Sequence, residues 1–261
     1  MGMQFLYIAT VIKHDLINNN NQEPAVESPM FIPIYDGKPL INIKRSWVNW
    51  GLIAANIFIF FAFQKTSSGE VISFSLGLIP AVVNDLAILP EEAVWVPKDL
   101  TYITYAFIHG DTFHLLGNML FLWVFGDNIE DAMGHVKYFI FYIVCAVSAG
   151  IAHSAFFSES NASLIGASGA VAGIVVAYLM LHPNMRVWVL AFGKIPLPIN
   201  AMWCLGAWVA FQIFQLVTNS ESQVSWIAHV GGIAAGAGLL IFLKNPNVPL
   251  FDRTSQEDLA E

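Results

Sequence analysis

Ile165-Gly166-Ala167-Ser168-Gly169-Ala170-Val171-Ala172-Gly173 places one hydroxyl among small residues where an apolar segment begins. With Gly166 and Gly169 on either side, Ser168 is open to close approach by another backbone. Gly169 and Gly173, four residues apart, share one helical face of the kind that tight helix contacts in a bilayer require. A second stretch has the complementary character. In Trp226-Ile227-Ala228-His229-Val230-Gly231-Gly232-Ile233-Ala234-Ala235-Gly236 an imidazole opens an apolar segment, and small residues, Gly232 and Gly236 among them, follow at helical spacing. A hydroxyl and an imidazole on two closely packed helices would make a nucleophile and its base.

The surrounding chain is that of a membrane protein. Its 261 residues are 56% hydrophobic and only 11% charged, far from the ~25% charged residues of a soluble domain, and its mean hydropathy is +0.62. A formal net charge of −8 with no cluster of Lys and Arg excludes nucleic-acid recognition. Cys145 and Cys204 both fall within apolar runs and read as small packing residues rather than a disulfide or a metal pair.

Apolar runs at 47–63, 111–126, 138–157, 166–181, 199–217 and 224–243 predict six spans. They divide the chain into a leader (1–29), a cytoplasmic juxtamembrane segment (30–46), a membrane domain (47–244) and a cytoplasmic tail (245–261) whose charged end from Asp252 reads as disordered. The leader's run from Phe5 to Ile12 is too short to span and lacks a basic flank and a cleavage site, so it does not read as a signal peptide; Met30 would serve equally as a start. The connection 70–111, broken by Pro80, Pro90 and Pro97 yet rich in aromatic and aliphatic residues, reads as a long first loop in the membrane interface. Residues 130–137 read as a short charged turn.

The distribution of cations orients these spans. With the N-terminus inside, Lys13, Lys38, Lys44, Arg45, Lys137, Arg186, Lys194, Lys244 and Arg253 are cytoplasmic, and only Lys65 and Lys98 are outside. Alternation then puts the starts of spans two, four and six on the outer side, so that His114, Asn118, Ser168 and His229 share one depth.

A lone serine in a membrane helix usually packs and bonds back to its own backbone, but a histidine in a span needs partners and marks function. His114 and Asn118, four apart, present an imidazole and an amide from one face; the bland reading is a hydrogen-bonded pair joining two helices. His109 and His153 read as structural. Metal chemistry lacks a ligand set: no His-Glu-x-x-His pair occurs, and no carboxylate lies within helical reach of His229. Asp127 and Asp131 lie at a cytoplasmic end rather than mid-span, against aspartyl proteolysis. A transport path lacks evident inverted halves, and the polar groups stop near one face.

Three motifs together resemble the rhomboid family of intramembrane serine proteases: His114-x-x-x-Asn118, Gly166-x-Ser168-Gly169 and Ala228-His229-x-x-Gly232. The stretches from Met30 to Asp36 and from Thr104 to His109, with Glu130-x-x-x-Gly134, extend the likeness over residues 30–244. The resemblance implies an all-α bundle of six transmembrane helices with the first loop lying sideways in the outer leaflet. Ser168 would be the nucleophile and His229 the general base of a dyad lacking an acidic third member. Asn118, His114 and the Ser168 N–H would form the oxyanion hole, and span five with the loop 218–223 would be the substrate gate. It further implies no cofactor and no metal, single-span or multi-span membrane proteins as substrates, and a bacterial inner membrane with both termini cytoplasmic. The alternative is a rhomboid-like protein that binds membrane segments without cutting them. Three departures bear on loop anchoring and on how His229 is held: Leu100-Thr101 replaces a Trp-Arg pair, Ala132 an arginine, and Ala172 the aromatic residue on which some members rest the histidine.

Overall fold

A computed structural model describes residues 31–65, 69–191, 193–218 and 225–252. The leader, nearly all of the loop 218–223 and the charged end of the tail lie outside them. The chain opens with strand β1 (Phe31–Tyr35) and helix α1 (Trp47–Ile59), whose last turns widen to π geometry through Gln64. The first connection is a series of short pieces: α2 (Gly69–Leu76), α3 (Pro80–Val83), two 3₁₀ turns at Glu91–Ala93 and Lys98–Leu100, and α4 (Thr101–Thr104). Pro80, Pro90 and Pro97 each stand at the start of one such piece, where a missing N–H costs nothing. Then follow α5 (Thr112–Phe121), which runs through a π segment into α6 (Asp127–Met133), α7 (His135–Phe156), α8 (Ser168–Leu181), strands β2 (Arg186–Ala191) and β3 (Ile195–Asn200), α9 (Ala201–Thr218) and α10 (Trp226–Leu243).

Among the described residues four helical stretches are long and apolar enough to cross a membrane: Trp47–Gln64, His135–Phe156, Ala201–Thr218 and Trp226–Leu243. They expose large apolar side chains outward, among them Phe58, Phe61, Trp203, Phe214 and Phe242. Helix α8 differs. It is apolar all round and buried from Gly169 to Tyr178, as the central helix of a bundle must be, and its 14 residues reach only about 21 Å. A helix that short leaves its N-terminus, and Ser168 with it, inside the thickness of the bundle.

Two expectations are corrected at the opposite end. The fold is not purely helical: β1, β2 and β3 form an antiparallel sheet in that order, with a bulge between Pro33 and Tyr35. Its origin is local alternation. Val187, Val189 and Ala191 face inward while Arg186 and Trp188 face out, and the N–H-less Pro196 and Pro198 alternate along β3, an edge strand among the described residues. Nor do residues 130–137 form a charged turn. Helix α6 continues to Met133 and stops at Gly134, whose φ of +81 suits glycine, and Glu130 and Asp131 are buried. Their carboxylates accept backbone hydrogen bonds: Glu130 from the N–H groups of Val48 (3.0 Å) and Asn49 (2.8 Å) at the start of α1, Asp131 from those of Ile41, Asn42 and Ile43 (3.1, 2.6 and 2.8 Å). Acids placed there satisfy orphan donors that would otherwise be buried unpaired. The chain after α10 also returns to the base, where the N–H groups of Phe251 and Asp252 donate to the Met180 and Leu181 carbonyls at the end of α8.

Candidate active site

The approach to Ser168 is built by the backbone. Leu164 exchanges two hydrogen bonds with Leu78 of the first connection (3.0 and 2.8 Å), and the Gly166 N–H donates to the Tyr105 carbonyl at 3.0 Å. Gly166 has φ +120, and a Cβ added there would lie 2.7 Å from Cε1 and Nε2 of His114. Only glycine therefore lets the His114 ring lie against the chain two residues before Ser168. His114 is aimed by its helix: Asp111 caps α5, accepting from the N–H groups of Phe113 (2.7 Å) and His114 (2.9 Å). The ring of buried His109 packs edge-on against it, centroids 5.1 Å apart. Asn118, one turn further on, is buried, and its amide donates to the His114 carbonyl at 3.1 Å.

His229 stands one turn into α10. That helix start is fixed by Ser225, whose hydroxyl accepts from the Ala228 N–H (3.3 Å) and shares a 2.6 Å hydrogen bond with His153 Nδ1 on α7. The distance between α8 and α10 is set by glycine. A Cβ on Gly232 would lie 1.9 Å from the Gly169 carbonyl oxygen, and one on Gly236 would lie 2.5 Å from Gly173 Cα, so the two backbones touch. Held this way, Ser168 Oγ lies 2.8 Å from His229 Nε2. The other ring nitrogen, Nδ1, lies 2.8 Å from Oε1 of Gln212 on α9, and the Trp226 ring meets the imidazole edge-on at 5.8 Å. A hydroxyl on an imidazole nitrogen, with a second imidazole edge one glycine away, is an arrangement that can pass a proton from oxygen to nitrogen while that oxygen attacks a carbonyl.

Ser168, His229 and His114 thus converge, while Asn118 is bonded within its own helix. Among the described residues no three His, Cys, Asp or Glu side chains come together as a metal site would need. The sequence motifs assign no role to Gln212 or to Trp226. The signal for Gln212 was present, since an amide in the middle of a span needs a partner, but the sequence does not say which.

A family model for the Rhomboid domain matches residues 97–246, more than half of the chain, with Ser168, His229, His114, Asn118 and Gln212 inside it. The chain belongs to the rhomboid family. Relatives include the RHOMBOID-like protein 12, mitochondrial, of Arabidopsis thaliana, 31% identical over 153 residues (52% of this chain, 44% of the relative). Rhomboid-related protein 2 of Mus musculus is 27% identical over 209 residues (77% and 63%), and the Rhomboid protease GlpG of Yersinia pestis is 25% identical over 176 (66% and 59%). The alignment spans less than two thirds of each of these rhomboid relatives. Family membership and the apolar helices together make this a membrane protein.

Proposed function

We propose that this rhomboid is an intramembrane serine endopeptidase that cleaves peptide bonds in or near the transmembrane segments of membrane proteins. The observation that carries the reading is the 2.8 Å contact between Ser168 Oγ and His229 Nε2, made by two separate helices at the centre of the bundle. In the proposed reaction Ser168 Oγ attacks the scissile carbonyl as His229 Nε2 takes its proton. The imidazolium returns that proton to the leaving amine as the C–N bond breaks, and water, activated the same way, hydrolyses the acyl-enzyme. His114 and the Ser168 N–H supply the oxyanion donors at once. Asn118 joins them by turning its amide from the His114 carbonyl, each side-chain donor contributing on the order of 3 kcal/mol.

The proposed setting is a six-span bundle: the four long helices, the run 112–133 and the short α8. The termini lie on the cytoplasmic side, and the site opens to the outer aqueous side that supplies water. The first connection would lie in the outer interface, a placement supported by its apolar cleft against α1, lined by Ile59, Phe63, Ile72, Leu76 and Trp95. A bacterial cell membrane is the proposed location; one relative comes from Yersinia pestis, and the plant relative carries a mitochondrial name.

Labelling with a mechanism-based fluorophosphonate tests the reading, because an unactivated serine hydroxyl is a poor nucleophile. Ser168 becomes the modified serine, His229→Ala abolishes the adduct in folded protein, and Asn118→Ala slows it. No adduct under conditions that label an active protease would favour the non-cutting binding protein, and an adduct on another serine would misplace the site.

A further inference from the structure

We propose that Gln212 is a positioning residue of the dyad, fixing the orientation and tautomer of His229 so that the ring presents a bare nitrogen to Ser168. The proposal rests on the reading of Ser168 and His229 as nucleophile and base. The two contacts lie on opposite sides of one ring, Nδ1 to Gln212 Oε1 and Nε2 to Ser168 Oγ, both at 2.8 Å. Gln212 is 3% exposed and His229 9%, so the two groups are buried together. Helix α9 is otherwise largely exposed, burying only Ala201, Leu205, Gln212 and Gln215, so a long polar side chain has been drawn inward at the level of His229.

The contact couples the orientation of the amide to which nitrogen of the imidazole is basic. With Oε1 toward Nδ1, only a ring carrying hydrogen on Nδ1 satisfies the contact, and Nε2 is left with a lone pair facing the Ser168 hydroxyl. With the amide turned, its NH₂ would donate to Nδ1, Nε2 would carry the hydrogen, and the ring could not accept the serine proton. Among the described residues no carboxylate contacts Nδ1, and Ala172 offers no ring for His229 to rest on. A neutral amide orients the ring without the desolvation cost of a buried carboxylate.

The test uses the full chain in detergent, with ¹⁵N-labelled histidine spectra, proteolysis of a single-span substrate and fluorophosphonate labelling. Wild type shows His229, identified by difference against His229→Gln, with hydrogen on Nδ1 and a bare Nε2. Gln212→Leu gives mixed tautomers and a roughly tenfold lower kcat/KM, the loss expected for one neutral orienting hydrogen bond. Gln212→Glu restores the orientation and, by favouring the imidazolium, moves the acid limb of the pH–rate profile to higher pH, which a mere packing residue would not do. Hydrogen on Nε2 in wild type overturns the proposal, as does a Gln212→Leu protein with unchanged tautomer and kcat/KM. Should Gln212→Glu fail to fold, the wild-type and Gln212→Leu spectra still settle the point. A wild-type chain that neither cleaves nor labels overturns the protease reading alone, and those same spectra then uphold or overturn the role of Gln212 in setting the ring.

Discussion

Replacing Gly232 by Ala tests whether helix contact sets the reactive distance. The added Cβ would stand 1.9 Å from the Gly169 carbonyl oxygen and 2.8 Å from its carbon, where ordinary contact begins at 3.4 Å, so the backbones must part by about 1.5 Å. Helix α8 has little room to retreat, because a Cβ on Gly169 would already lie 2.4 Å from Ala149 Cβ, and one on Gly173 2.6 Å from Cys145 Sγ, both on α7. The displacement falls on α10. Gly169 adjoins Ser168 and Gly232 lies three residues after His229, so even half of that movement stretches the 2.8 Å contact to the limit of a hydrogen bond. Overpacking of this kind costs roughly 1–3 kcal/mol of stability, and a misplacement near 1 Å costs on the order of 10²-fold in rate.

The control is Gly238→Ala, on the same helix, where an added Cβ meets nothing within 4 Å. Both substitutions gain the roughly 1 kcal/mol helix preference of Ala over Gly, so their difference isolates the contact. Thermal melts in detergent, substrate cleavage and fluorophosphonate labelling are compared for the two proteins. A Gly232→Ala chain that matches Gly238→Ala in melting temperature and rate would refute the reasoning.

Three further outcomes are expected. Activity falls as pH drops from neutral toward about 5, since a protonated His229 has no lone pair for the Ser168 proton; a rate rising over that range in folded protein would remove the base. At the end of the bundle that carries the sheet, burial raises the Asp36 carboxyl from 3.8 to about 7, against the Tyr178 hydroxyl and the 2.7 Å bond from Asn128 Nδ2. The folded state then holds the proton that the unfolded state loses, so this contribution is full below about pH 4 and is lost as pH rises through about 7. Melting in Asp36→Asn loses that part of the pH dependence, and a wild-type slope identical to the variant's across the window would deny it. Glu130→Gln turns an NH₂ toward the N–H groups of Val48 or Asn49 and lowers stability by about 1–3 kcal/mol, read as a drop in melting temperature; an unchanged melt would mean the carboxylate does not hold α1.

What the sequence revealed and what it hid divide along the range of the interactions involved. Apolar runs are a local property, and the runs at 47–63 and 138–157 reappear within three residues at either end as Trp47–Gln64 and His135–Phe156. The glycine spacing around Ser168 and His229 is equally local. The sheet is not, because β1 and its partner β2 lie more than half the chain apart, and Pro196 and Pro198 argue against a strand unless it is known to lie at an edge. Glu130 and Asp131 looked like a solvated turn because charges usually are; only the fold reveals the N–H groups that make their burial favourable. Gln212 was visible as a polar residue in an apolar run, but its partner depends on how α9 leans on α10.

The geometry of the dyad follows from the same division. Gly169, Gly173, Gly232 and Gly236 fix the separation of two helices by backbone contact, which contributes to stability throughout the bundle. Gln212 fixes only the rotation and protonation of one ring. Disturbing the first should therefore move melting temperature and rate together, whereas disturbing the second should move the rate and its pH dependence with little change in the melt. Were both perturbations to lower the melt in proportion to the rate, the Gln212 contact would be part of the packing, and the ring would be held by the Ser168 hydroxyl and the Trp226 edge alone.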